Sequence, residues 1–152
     1  MTTKRYWIGV AGPLNFDILQ KGGFTLFAVS ERFRNIMNLM SPGNMLVIYR
    51  AGGAGPSGFT VLASVVSGPY MDEGRDFPTT KPLPRRVEIK PEIDVSDRPV
   101  KISEIADGLD FVKKKTIPGT YLQTHLREIS EHDYQTIASA LKERLSNVRR
   151  EH

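Results

Sequence analysis

The sequence predicts an α+β fold: a curved, mixed β barrel or strongly curled sheet with peripheral helices. Length is the first observation. The chain has 152 residues, enough for one ordinary domain and too few for two full cores. Segment order is the second. Strand, helix, strand and helix are followed by several strands and then by helices, which breaks the regular alternation of a doubly wound sheet. Composition is the third, with 39% hydrophobic and 25% charged residues placing the chain in the globular range. A single domain over residues 1–152 is expected, its core at about 5–146 and a tail at 147–152.

Each element has a local reason. Residues 5–11 are aromatic and β-branched and read as a strand, broken by Gly12-Pro13. Pro13 suits a first helical turn, Leu14 and Ile18 share a face, and Gly22-Gly23 stops the helix. Residues 24–29 read as the second strand. Ser30 is placed to cap an amphipathic helix over 31–40, with Phe33, Ile36, Met37 and Met40 at helical spacing. After the turn at Ser41-Pro42-Gly43-Asn44, residues 45–49 are nearly all apolar, as in a strand buried on both faces.

A small-residue loop at 51–58 leads to a β pattern over 59–66. Residues 69–84 read as a long surface loop. Residues 86–90 alternate as a half-buried strand, and 91–99 read as a connection. Residues 100–109 suit a short helix, and Ile117-Pro118-Gly119 a turn. Ser130 opens the last helix, with Asp133 in a capping-box-like position and a stripe of Tyr134, Ile137, Ala138, Leu141, Leu145 and Val148. Residues 149–152 are expected to fray.

Several chemistries are excluded or disfavoured. With no cysteine, disulfides, thiolate nucleophiles and Cys-based zinc sites are ruled out. The glycines at 52–58 are followed by no Gly-Lys-Ser/Thr, and Gly55-Pro56-Ser57-Gly58 lacks nucleophile-elbow spacing. His125, His132 and His152 have no metal-helix spacing, so no metal and no cofactor is expected, and His125 near Tyr121 is kept as a candidate site residue. Asp72, Glu73 and Asp76 do not match a calcium loop. No catalysis is expected of the chain. No apolar run reaches the ~20 residues that span a bilayer, and the polar start of the chain lacks a secretory pattern, so a cytoplasmic location is expected. The net charge of +4 permits an anionic partner without requiring one.

Five blocks in order carry a family resemblance. Tyr6-Trp7-Ile8-Gly9-Val10 resembles the opening strand of the EVE domain family. Ser41-Pro42-Gly43-Asn44, running into residues 45–49, resembles that family's Lys-Pro-Gly-Asp turn and buried strand. Residues 84–91 are similar to its Pro-Tyr-Arg-Val-x-Ile-Lys-Pro strand, 109–115 to its Leu-x-Phe-Ile-x-Asn-Lys segment, and 129–134 to its closing helix start. The resemblance implies a PUA-like fold related to YTH domains and a role in reading modified bases. There are departures. Phe27-Ala28-Val29-Ser30 stands in place of Trp-Gly-Val-Pro, Asn44 in place of Asp, and Tyr121 lacks a neighbouring Trp.

On this resemblance the chain is expected to bind nucleic acid, DNA or RNA with a modified base such as methylated cytosine or adenine, alongside a separate effector protein. The candidate base pocket is Trp7, Phe27, Ala28, Ser30, Asn35, Tyr49 and Tyr121. Each aromatic also suits a core position, Trp7 most of all because it lies mid-strand. Arg32, Arg34, Arg50, Lys81, Arg85, Arg86, Lys113, Lys114 and Lys115 are candidates for a phosphate track, against the alternative of a solvated charged face. Arg85 and Arg86 must point to opposite sides of their strand. Two rival readings stay open: a small-molecule or nucleotide site in the same pocket, enzymatic or not, and an RNA-binding protein of RNA modification or translation.

Overall fold

In the computed structural model, residues 4–52, 55–72, 77, 82–116 and 118–150 are described. The chain runs through β1 (Tyr6–Ala11), α1 (Pro13–Lys21), β2 (Leu26–Val29), α2 (Arg34–Met37), β3 (Met45–Arg50), β4 (Gly58–Val65), β5 (Tyr70–Met71), β6 (Arg85–Asp94), α3 (Ile102–Ile105), β7 (Leu126–Ile129) and α4 (Glu131–Arg150). The strands form one curled sheet in the order β2-β6-β4-β3-β1-β7, with β5 on β6. β1 and β3 pair in parallel, and every other pairing is antiparallel. This is the mixed, half-barrel sheet with peripheral helices expected for a PUA-like fold.

Side-chain alternation gives the sheet two apolar faces. On β1, Trp7 enters one core and Ile8 the other; on β3, Leu46 and Ile48 oppose Met45, Val47 and Tyr49. The first core is filled by Phe16 and Leu19 of α1 and by Met37 of α2. The second is closed by Tyr134, Ile137, Ala138 and Leu141 of α4, the stripe read from the sequence. β3 is buried on both faces, as its unbroken apolar run implies.

The elements differ from expectation in informative places. β2 starts at Leu26 because Gly23 and Phe24 hold positive φ (76° and 56°), which no strand accommodates. α1 turns Phe16 and Leu19 inward and leaves Leu14 60% exposed, so the face read through Leu14 and Ile18 is displaced. The helix expected over 31–40 shrinks to a 3₁₀ turn, Glu31–Phe33, and the single turn of α2, and Ser30 makes no side-chain cap. The helix read over 100–109 is likewise a single turn, α3, continued by a 3₁₀ turn at Ala106–Gly108.

β6 runs on past Lys90 to Asp94. Pro91 is tolerated because a register shift at Leu62/Ala63 sits opposite it and β2 has already ended at Glu88. β7 was unforeseen, as was β5 inside the expected 69–84 loop, of which residues 73–76 and 78–81 lie outside the described residues. α4 reaches Arg150 where fraying was expected from 149. The Ser130 hydroxyl caps α4 by accepting the Asp133 N–H at 3.1 Å, but the Asp133 carboxylate turns away to other amides, so the capping box is half made.

Candidate functional site

Because β1 and β3 are parallel, both strands end at the same rim of the sheet. Val10 and Ala11 of β1, with Gly12 just beyond, meet Tyr49 of β3 and Ala51 and Gly52 just past its end. Phe27 and Ala28 of β2, Asn15 and Leu19 of α1, and residues 122–125 close the remaining sides. The result is a cleft of about 460 Å³, within the range of small-ligand sites. A second hollow of about 660 Å³ adjoins it and shares Asn15, Leu83, Gln123, Thr124 and His125.

Phe27 is 1% exposed, and its ring lies against the bare backbone of Gly9. A Cβ at residue 9 would sit 2.5 Å from Phe27 Cζ. Tyr49 meets Phe59 edge-on, with centroids 5.0 Å apart and planes at 72°. Burial pushes the Tyr49 phenol above its ordinary pKa of 10.0, so the hydroxyl keeps its proton. Asn15 Oδ1 is buried with no hydrogen-bond partner among the described residues.

His125 stands where the two hollows meet. Its carbonyl accepts the Val10 N–H at 2.9 Å, fixing the residue to β1. Its ring stacks on Phe33, centroids 5.0 Å apart and planes 11° from parallel. Desolvation, followed by the nearby Arg32 charge, lowers its pKa below 6.5. The His125 ring resonances are therefore expected to titrate in NMR with a midpoint under 6.5, and Arg32→Gln should move it part of the way back. An unshifted midpoint would contradict this geometry. The folded ring binds protons less readily than the unfolded one, so its contribution turns against the fold as pH drops below 6.5.

Of the expected pocket residues, Phe27, Ala28 and Tyr49 line the cleft, and Ser30 lines the adjoining hollow. Three lie elsewhere. Trp7 is 0% exposed inside the core, its indole N–H donating to Asn44 Oδ1 at 3.1 Å. Tyr121 packs beside the second core, and its hydroxyl accepts the Lys114 N–H at 2.9 Å. Asn35 is exposed on α2 and lines neither hollow.

The expected phosphate track is mostly committed to other contacts. Arg85 grips Glu31 through two bonds of 2.7 and 2.9 Å, and Arg34 holds the same carboxylate at 3.2 Å. Arg86 points the other way, as the alternation requires. It is 2% exposed, donates to the Leu83 carbonyl, meets Asp72 at 3.5 Å and lies 5.4 Å from the Phe77 ring centre. Arg50 donates to the Pro56 carbonyl, and Lys115 to the carbonyls of Ala106 and Leu109. Lys113 and Lys114 are exposed, and Lys81 lies outside the described residues. Of the described members of the set, Arg32 alone lines either hollow; it makes no ion pair among the described residues and lies 5.7 Å from the Phe33 ring centre.

Sequence reasoning missed Asn15, Phe33, Gln123 and Thr124. Asn15 follows Leu14 in a helix whose inward face was read one step off, and Phe33 was absorbed into an apolar helical stripe. Gln123 and Thr124 lie in an irregular stretch with no pattern to mark them. The described residues also contain one His/Asp group with ligand-like proximity: His132 Nδ1 lies 3.2 Å from both Asp110 and Asp133. Asp133 already accepts two backbone amides there. Among the described residues no helix is long and apolar enough to cross a membrane.

The fold has solved relatives at low identity. A hypothetical protein from Leishmania major superposes with a TM-score of 0.66 at 19% identity, covering 93% of this chain and 96% of its own. Human THYN1, solved with 5-methylcytosine-containing DNA, gives 0.63 at 13% identity over 90% and 97%. The YTH domain-containing protein mmi1, solved with RNA, gives 0.63 at 12% identity over 92% and 82%. No curated protein matches the sequence. The EVE domain family model matches residues 5–140, almost the whole of the fold just described, and the chain belongs to the EVE domain family.

Proposed function

We propose that the cleft binds one nucleobase drawn out of a nucleic-acid strand and reads a modification on it, with no chemistry performed on the base. The cleft itself carries this reading: an aromatic and apolar slot at the strand rim, edged by Asn15, Gln123, Thr124 and His125. Family membership supports it, as do two structural neighbours, one solved with methylated DNA and one with RNA.

The energetics say what the polar edge must do. Stacking on an aromatic is worth about 1–3 kcal/mol per base, and extruding a paired base costs a few kcal/mol, so the two nearly cancel. One buried methyl adds roughly 0.8 kcal/mol, about a fourfold preference. Discrimination therefore rests on hydrogen bonds to the base edge. A turn of the Asn15 amide about its soft terminal torsion would present its unpartnered oxygen to the cleft, where it suits the exocyclic amine of cytosine or adenine.

Asn15→Ala is expected to weaken binding of such bases by about 5- to 10-fold while leaving stability unchanged or slightly higher. The measurement is fluorescence anisotropy with labelled oligonucleotides, unmodified or carrying methylcytosine, hydroxymethylcytosine or methyladenine, at two salt concentrations. Intrinsic fluorescence is a poor reporter, because Trp7 is sealed in the core. Binding should fall with salt by a log–log slope of about −0.9 per phosphate contacted on duplex and −0.7 on single strands. Tight, salt-insensitive binding of free nucleotides alone would favour the small-molecule reading. Absence of polynucleotide binding at low salt would sink the proposal.

A further inference from the structure

We infer that the hollow beside the cleft is a second nucleotide subsite, in which the stacked Phe33–His125 pair receives the base next to the one being read and Arg32 meets the intervening phosphate. The inference rests on the reading of the cleft as a base site. Its first support is continuity: the two hollows share one wall, Asn15, Leu83, Gln123, Thr124 and His125, so a strand with one base in the cleft has its neighbour delivered to this place.

The second support is the stack. Phe33 and His125 are nearly parallel aromatic rings, and His125 is exposed, leaving it as the outer member. A base laid on it extends a ladder already begun inside the protein. The lowered proton affinity of the imidazole keeps it neutral at pH 7, a flat stacking surface rather than a hydrated cation.

The third support is charge. Glu31 also lines the hollow and would repel a phosphate if it stood alone. Arg85 and Arg34 both hold it, so two guanidinium groups offset this one carboxylate, and Arg32 adds a third positive charge to the lining of the hollow. Arg32 is the one of the three without a carboxylate partner among the described residues. A neutral stack, a cation with no carboxylate partner among the described residues and a shared wall with the cleft together fit a strand better than a peptide or an isolated metabolite.

The experiment compares three kinds of probe on the intact chain. The probes are 5-methyl-dCMP and N6-methyl-AMP, trinucleotides with the same base at the centre and thymidine or uridine flanks, and the same trinucleotides with one flank abasic, in DNA and RNA form. Removing the correct flanking base should cost the wild-type protein roughly 5- to 150-fold in affinity, the loss of one stacked base. Phe33→Leu, which keeps apolar packing but removes the ring that backs His125, should reduce that difference and leave mononucleotide binding unchanged. Arg32→Gln should flatten the salt slope by about 0.7. Mononucleotide binding with no gain from either flanking base overturns the subsite and leaves the cleft reading standing. Equal flank effects in wild type and Phe33→Leu overturn it too. Absence of binding by every probe overturns both.

Discussion

Phe27→Ala is expected to destabilise the protein by about 3–5 kcal/mol, the range for removing a fully buried aromatic. Its ring fills the space between β2 and β1 and forms part of the cleft lining, so the same change also enlarges the cleft. Phe27→Leu separates the two effects, keeping much of the packing and most of the cleft's shape. Urea denaturation gives the first quantity, and anisotropy on the folded variants the second.

The contact with Gly9 supplies an internal control. Gly9→Ala alone must push a Cβ into the ring at 2.5 Å and should cost about 1–3 kcal/mol as overpacking. In the Phe27→Ala background the same methyl enters vacated space, and the penalty should vanish. Additive losses in the double variant would mean that the ring does not lie against β1 as described.

The second large effect is expected at the start of α4. Asp133 is 2% exposed, and its two oxygens accept the amides of Asp110 and Phe111 at 2.7 and 3.1 Å. Asp133→Ala leaves both N–H groups without their partner and should lower stability by about 2–5 kcal/mol. Asp133→Asn keeps one acceptor and should lose roughly half as much. Hydrogen exchange at the Asp110 and Phe111 amides provides the direct check: their protection should collapse in the alanine variant. A loss under about 1 kcal/mol with protection intact would show that the carboxylate is dispensable.

What could be read from the sequence was whatever carried its own periodicity. Residues 45–49 announced a strand buried on both faces because nearly every side chain is apolar, and the stripe from Tyr134 to Leu145 announced α4. β7 gave no such signal: Leu126-Arg127-Glu128-Ile129 is four residues long with two charges in the middle, and only its pairing with β1 makes it a strand. Pro91 hid the second half of β6 for a similar reason, since whether a proline breaks a strand depends on which edge is paired.

The cleft was legible where resemblance pointed, at Phe27, Ala28 and Tyr49. Asn15, Phe33 and His125 are assembled from three separate parts of the chain, and no local pattern records that meeting. Charge was the least legible property. Arg85 and Arg86 look alike on paper, yet one is spent on Glu31 and the other is sealed inside the fold.

The neighbours of β1 also govern the order in which the protein can be completed. β3 lies on one side, and on the other lies β7, which arrives so late that Arg5 and Glu128 pair across 123 positions. During synthesis from the N-terminus, β1 therefore keeps an open hydrogen-bonding edge until most of the chain has emerged, the exposure that invites pairing with other chains. The ring of His125 and the closing wall of the cleft belong to that same late segment. Closing so long a loop is slow compared with forming the β3–β4 hairpin. The cleft is thus completed only when β7 and the residues just before it arrive, together with the protection of the β1 edge from self-association.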